Sequence, residues 1–395
     1  MAPLSKETMT ARALISKLLV RATKKWPTDK ALNRSLSELY GAYVNSFVSK
    51  YKDKHVITVT LEIVNERYLN DKTPLLQRGM ALLNEIIWNP LVNDGAFDTY
   101  FVNQETTLLR KKLEAMVDNK SQTAYVNLLT HMFGTHPYRY LSMGSLDELK
   151  HITAESLYDA YKSMIEQDYC SVYVVGNVDE TETHNMIDET FNVKPFTYAD
   201  SGIPFTYDTA ALPKTIVDYD VVDQAKLNLG YRLPTHYGHK DYYALVVLNM
   251  MFGGDPSSVL FSEVREKQSL AYSIHSQIDA KNGFLFVLSG VSVDQYEKAK
   301  DTVIASFDTF RTGDFTDEKL ALAKKVILSQ RKESADKPKN IIEILHNQLL
   351  LDDEQKRVSF ETQISKVTRE DIIQLAQQAV LDTVYILTKE EGAVE

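Results

Sequence analysis

The chain has a single cysteine, Cys170, among 395 residues, so no internal disulfide can form and a stapled secreted scaffold is excluded. Glycine and proline are scarce, at 15 and 11, and neither G-x-x-x-x-G-K-[ST] nor G-x-G-x-x-G occurs, which leaves phosphate-cradling chemistry without a signature. No apolar run approaches a membrane span: the richest, Ala244 to Phe252, is broken by Asn249 and has the length of a core helix. Near the start, Arg12, Lys17, Arg21, Lys24 and Lys25 are spread through the chain, with Lys17 inside what would be the apolar part of a leader. That stretch reads as a surface-packed helix rather than a secretion or transit signal, and together with the lone thiol it points to the cytoplasm. Positive charge is in deficit, 44 Lys+Arg against 54 Asp+Glu, and a net charge of −10 disfavours a surface that coats nucleic acid. What is present is ordinary for a globular protein, 44% hydrophobic and 25% charged, in a chain long enough for about two to three domains.

Comparing the chain with itself is more informative than any motif. Ile152-Thr153-Ala154-Glu155-Ser156-Leu157 resembles Val367-Thr368-Arg369-Glu370-Asp371-Ile372, just over half the chain later. Each copy predicts a helix capped by Thr153 or Thr368, with acidic residues in its first turn to suit the helix dipole. Each is followed by a β-branched run, Val172-Tyr173-Val174-Val175 or Val384-Tyr385-Ile386-Leu387, expected to form a strand. The segments Asp94 to Asn119 and Asp314 to Lys337 match as helices too, each with a Phe near its start and a Lys pair inside. The chain therefore reads as two copies of one α+β unit, residues 1–194 and 214–395, joined by a linker at 195–213 that holds Pro195, Gly202, Pro204 and Pro213. Each copy is expected to be a sheet covered on one face by helices. Thr215–Val222 and Lys226–Tyr231 are credible strands opening the second copy.

The segment Phe252-Gly253-Gly254-Asp255-Pro256-Ser257-Ser258-Val259-Leu260-Phe261-Ser262-Glu263-Val264-Arg265-Glu266-Lys267-Gln268-Ser269-Leu270-Ala271-Tyr272-Ser273 predicts a helix capped by Ser257 or Ser258, with Leu260, Phe261 and Val264 facing inward and Arg265 in its last turn, followed by a strand carrying Tyr272. This segment resembles the second-half signature of the M16 (insulinase/pitrilysin-type) zinc peptidases. Trp88-Asn89-Pro90-Leu91, His136-Pro137-Tyr138 before Gly144, and Val174-Val175-Gly176-Asn177-Val178 fit the same family. The resemblance implies the LuxS/MPP-like metallohydrolase fold: α+β, two homologous halves, each an antiparallel-rich sheet covered by helices, facing each other across a chamber that holds extended peptide. It further implies that Arg265 and Tyr272 bind the substrate backbone, a role suited to a fixed guanidinium and a phenol.

Active family members carry H-x-x-E-H on the first helix, two imidazoles on one face for zinc and a Glu to activate water. Here the matching positions hold Ala13, Ser16 and Lys17, and the position of the third ligand falls on Lys112, with Glu105 or Glu114 as alternatives for that pocket. The helix itself persists as an apolar stripe of Ala11, Leu14, Ile15, Leu18, Leu19 and Ala22, with Ala13, Ser16 and Lys17 expected on another face. None of the nine histidines forms an i, i+4 pair; His236 and His239 read as a solvated loop around Gly238, His184 with Asp188 as a surface helix pair, and Cys170 as a buried structural thiol. The family's opening strands have little room, since only Met1 to Lys6 precede the first helix.

The resemblance thus implies a catalytically inactive M16 subunit with no catalytic residue, metal or cofactor of its own. It would hold extended peptide and pair with an active homologue bearing intact H-x-x-E-H, as bacterial family members encoded side by side do, or else self-associate. No nucleic acid or membrane partner is expected. Two other readings stand beside it: a scaffold or maturation factor without peptide capture, and a zinc endopeptidase with non-standard ligands.

Overall fold

The structure, a computed structural model, describes residues 1–70, 73–191 and 213–390; apart from Pro213, the expected linker lies outside them. The chain forms two compact units, Met1–Ala115 with Tyr140–Ala199, and Met116–Arg139 with Asp200–Glu395.

The first unit opens with β1 (Ala2–Pro3), α1 (Lys6–Leu19) and α2 (Asp29–Glu38), then the hairpin of β2 (Tyr43–Tyr51) and β3 (Lys54–Glu62). It continues through α3 (Leu75–Trp88), the short hairpin β4 (Val92–Asn93) and β5 (Ala96–Phe97), and α4 (Thr99–Asp118), and resumes with α6 (Leu146–Leu149), α7 (Ala154–Gln167) and α8 (Glu180–Thr190). Its sheet has the order β1-β3-β2, antiparallel throughout. One face is closed by α1, whose Leu14, Ile15, Leu18 and Leu19 are buried in a core shared with Leu75, Leu82 and Ile86 of α3 and Leu157 and Tyr161 of α7.

Beneath α1 lies a buried polar network. Arg12 donates from Nε to His55 Nδ1 (3.0 Å) and from Nη2 to Asp168 Oδ2 (2.6 Å), while His55 Nε2 lies 2.7 Å from the Ser142 carbonyl. Burial, with the neighbouring Arg12 charge, pushes the His55 imidazole down to about 4.

The expected repeat is visible in both caps. The Thr153 and Thr368 side chains each accept from the third helical N–H, and their own backbone N–H groups donate to the Ser156 and Asp371 side chains respectively, so both form capping boxes. The strands expected after them differ. Val384–Leu387 lies in β10 (Val380–Thr388), whereas Tyr169–Val175 is not a strand. Tyr169 exchanges backbone bonds with Met1, and among the described residues no ladder forms beside this run, so its β-branched propensity does not make a strand.

The second unit begins with α5 (Lys120–Phe133), followed by β6 (Lys214–Tyr219), β7 (Ala225–Arg232), α9 (Tyr242–Asn249), β8 (Ala271–Asp279), β9 (Phe284–Val291), α10 (Tyr296–Thr312), α11 (Asp317–Ala335), α12 (Pro338–Asn347), α13 (Asp353–Lys356), α14 (Phe360–Lys366), α15 (Arg369–Gln378) and β10. Its sheet runs β6-β10-β7-β9-β8, with β6 parallel to β10 and the other pairs antiparallel. Leu227, Leu229 and Tyr231 of β7, Leu285 and Val287 of β9, and Val384 and Ile386 of β10 point into one core with Leu245 and Leu248 of α9, Phe307 and Phe310 of α10, and Leu375 of α15.

The alternate residues of those strands meet α5, so this sheet is covered on both faces, not one. Tyr125 and Phe133 of α5 pack edge-on against Phe286 and Phe284. Asn127 donates to the Tyr385 hydroxyl (2.7 Å), which in turn donates to Asp218 (2.7 Å). The helix end is held by Arg232, whose Nη2 donates to the Met132 carbonyl (2.6 Å) and whose Nε pairs with buried Asp382 (2.6 Å). Gly230 permits this approach: a Cβ there would lie 2.6 Å from Met132 Sδ.

His55 is buried and neutral when folded, but takes up a proton near 6.5 once unfolded. Its contribution is therefore complete above that value and is lost as pH falls toward about 4, by up to roughly 3 kcal/mol. Urea unfolding across that interval should show the loss, and His55→Asn should flatten it.

Candidate functional site

The first helix buries more of its surface than its apolar stripe predicts. Ala13 and Ser16 are buried together with that stripe, and Ser16 Oγ donates to the Ala13 carbonyl within the helix (2.8 Å), so of the three motif positions only Lys17 reaches outward. β2 and β3 pack beside α1, and of the three positions expected on a face apart from the stripe, Ala13 and Ser16 are buried.

Lys17 Nζ donates to the carbonyl of Ser46 on β2. Just beyond the helix, Arg21 binds Glu105 of α4, with Nη2 and Nε at 2.5 and 2.6 Å, and approaches Asp29 at 3.7 Å. Glu105 is buried, whereas Glu114 is exposed, so of the two alternatives it is Glu105 that occupies this pocket. Lys112 stands two turns after Glu105 on the same helix and is exposed. Although Lys17 is itself among the exposed residues, its ammonium is partly desolvated, and that burial, followed by the like charge of Lys112, lowers its pKa.

These residues do not fit zinc. A buried methyl, a hydroxyl satisfied by its own helix and an ammonium supply no imidazole or thiolate, and Lys17, Arg21 and Lys112 repel a divalent cation. Among the described residues no cluster of three His, Cys, Asp or Glu is placed to hold a metal. His184 pairs with Asp188 on an exposed helix face (3.2 Å), and His236 bonds the adjacent Tyr237 carbonyl (2.8 Å) in its loop. Cys170 is half-buried, and burial raises its thiol pKa, the opposite of an activated nucleophile.

In the second unit, Met250–Gly254 and Phe261–Lys267 are wound as π-helix, a wider turn found often at functional sites. No serine side chain caps the second of these; Ser257 Oγ donates instead to Asp255 Oδ1 (2.7 Å). Leu260 and Val264 are fully buried while Phe261 is half-exposed, and the Arg265 guanidinium lies over the Phe261 ring, 4.8 Å from its centroid. After Lys267 the chain passes through Ser269 at φ 53°, and the Leu270 N–H closes on the Val264 carbonyl (2.9 Å), joining helix end to strand start.

Strand β8 is an edge of its sheet, and its register slips at Tyr272: Ala271 faces Val291, and Ser273 faces Gly290. Tyr272 is thus the extra residue of a bulge, which turns its ring out of the pleat, and it is 61% exposed. Two features had no clear signal in the sequence, the Arg21–Glu105 pair and the buried Ser46. Both depend on which strand and helix lie against α1.

A family model described as the peptidase M16 inactive domain matches residues 151–327. Over 400 aligned residues the chain is 38% identical to the probable inactive metalloprotease YmfF of Bacillus subtilis (strain 168), covering 100% of this chain and 92% of the relative. The chain belongs to the M16 peptidase family. It is an inactive M16 peptidase homologue. A conserved protein of Enterococcus faecalis V583 superposes with a TM-score of 0.91 at 28% identity, covering 100% of this chain and 92% of that one. The uncharacterized zinc protease YmxG of Bacillus subtilis (strain 168) is 24% identical over 233 residues, 58% of this chain and 56% of the relative. No helix among the described residues is long and apolar enough to cross a membrane.

The purified M16 homologue should carry no stoichiometric zinc after dialysis, measured by elemental analysis, and should cleave no unstructured peptide. One zinc per chain with chelator-sensitive hydrolysis would contradict the cationic pocket described here.

Proposed function

We propose that this M16 homologue holds extended peptide without cleaving it and pairs with an active zinc-peptidase homologue in proteolytic processing in the cytoplasm. The observation that carries the reading is Tyr272, turned outward by a bulge on β8, an edge strand of its sheet among the described residues, with Arg265 exposed on the π-helix that leads into that strand. An edge strand offers backbone groups to an added peptide strand, and each carbonyl of that strand can accept from a guanidinium or a phenol. A guanidinium stacked on Phe261 loses little further freedom on binding. A fold kept intact while its zinc ligands are replaced supports a role played with a second, competent subunit. So does the presence, in Bacillus subtilis, of relatives described both as inactive metalloprotease and as zinc protease.

The partner arm is tested by co-expression with a homologue bearing H-x-x-E-H. The two should co-elute at micromolar concentration, and the complex should hydrolyse peptide faster than the homologue alone. Separate elution with full activity of the homologue by itself would refute pairing.

The substrate arm is tested in that complex. A charge-assisted bond from Arg265 is worth about 1.5–3 kcal/mol, so Arg265→Ala should raise KM by roughly ten- to a hundredfold, and Tyr272→Phe by less. A melting temperature that falls while KM stays unchanged in both variants would assign the two residues to stability, as the scaffold reading requires.

A further inference from the structure

Across the second sheet the register sets Ser273 of β8, Gly290 of β9 and Lys226 of β7 in one row, with the glycine in the middle. The row lies on the face where Phe284 and Phe286 meet α5, because alternate residues of β9 point the same way. With no side chain at 290, its neighbours lean over the gap. The point where a Cβ would stand is 2.9 Å from Gln224 Oε1, 3.3 Å from Ser273 Oγ and 3.5 Å from Lys226 Nζ, so an amide, a hydroxyl and an ammonium converge on one spot. Among the described residues none of these three side chains has a hydrogen bond or an ion pair. Asp218, which pairing through Leu387 places in the same row two strands from Lys226, is engaged instead by the Tyr385 hydroxyl (2.7 Å). Ser273 is exposed and Gln224 and Lys226 are half-buried, so the group is open to a ligand.

We propose that Lys226 and Ser273, with the Gln224 amide beside them, form a subsite for an acidic side chain of the peptide held along β8. This deepens the peptide-holding reading and rests on it, and every residue it uses belongs to the same unit as Arg265 and Tyr272. Ser273 directly follows Tyr272 on the edge strand. A peptide strand added there runs about 4.8 Å from β8 and sends alternate side chains to the face of the row. Ser273 is its first neighbour on that face, and Lys226, lying over Gly290, brings an ammonium toward the same place. Glycine at 290 is what lets a cation rooted on β7 act near the edge, since a side chain there would press into Gln224 and crowd Ser273. A carboxylate accepts a charge-assisted bond from the ammonium and further bonds from the hydroxyl and the amide N–H. In a chain of net charge −10 the general field opposes an acidic peptide, so a preference for one has to come from a local cation without an acidic partner.

The test uses the full-length protein and three short, unstructured, fluorescently labelled peptides with amidated ends, followed by anisotropy. They differ only in a central pair, Glu-Glu, Gln-Gln or Lys-Lys; neighbouring residues of a strand point to opposite faces, so one of each pair faces the row. The Glu-Glu peptide should bind about tenfold more tightly than the Gln-Gln peptide, and the Lys-Lys peptide more weakly than either. Lys226→Met should erase the preference while leaving Gln-Gln binding unchanged, which also shows that the variant is folded; Lys226→Arg should retain it, and Ser273→Ala should reduce it. If the three peptides bind equally to the unaltered protein, the subsite is overturned and peptide holding stands. A preference that persists undiminished in Lys226→Met also overturns it. If none of the peptides binds, the subsite and the peptide-holding reading fall together.

Discussion

The central strands of the second sheet send large side chains to both faces, and this requires both faces to be covered. Helices α9, α10 and α15 cover one; the other is left to α5, which comes from a distant part of the chain. The buried Arg232 is the point on which that cover turns. Its guanidinium neutralises Asp382 and caps the carbonyl end of α5, so one cation satisfies both a buried carboxylate and a helix terminus. Removing it would leave both uncompensated in a buried region. The edge strand β8 and the π-helix before it are held in place by that doubly covered sheet, and so therefore are Arg265 and Tyr272.

The first unit shows how a fold outlives its chemistry. Helix α1 is retained because Leu14, Ile15, Leu18 and Leu19 bury against α3 and α7, a requirement indifferent to what occupies the motif positions. Ala13 and Ser16 carry side chains small enough to be buried in the packed interface. Lys17 instead places an ammonium beside the Ser46 carbonyl. Glu105 keeps a carboxylate in the region, but Arg21 holds it, so it is structural in effect. The result is a retained core beside which the side chains present supply no ligand suited to zinc.

Much of this was legible in the sequence because it depended on local rules. The twin caps at Thr153 and Thr368 follow from a hydroxyl three residues before a partner side chain, a geometry set within one turn of helix. The loss of zinc chemistry follows from residue type alone, since Ala, Ser and Lys cannot supply imidazole. The α+β class and the twofold repeat followed from matching segments.

The features that failed or went unseen are those in which distant segments decide. Tyr169–Val175 has strand propensity but, among the described residues, no ladder on which to use it. The bulge at Tyr272 exists only in its register against β9, and the second cover of the β7–β9–β10 surface exists only because α5 folds onto it. The sequence by itself determined the helix caps, the apolar stripes and the lack of imidazole at Ala13, Ser16 and Lys17, because each is a property of side chains a few positions apart. Only the tertiary structure decided which charges meet, that Arg21 takes Glu105 and leaves Lys17 with a carbonyl, because pairing between ions depends on distances across elements that local sequence does not encode.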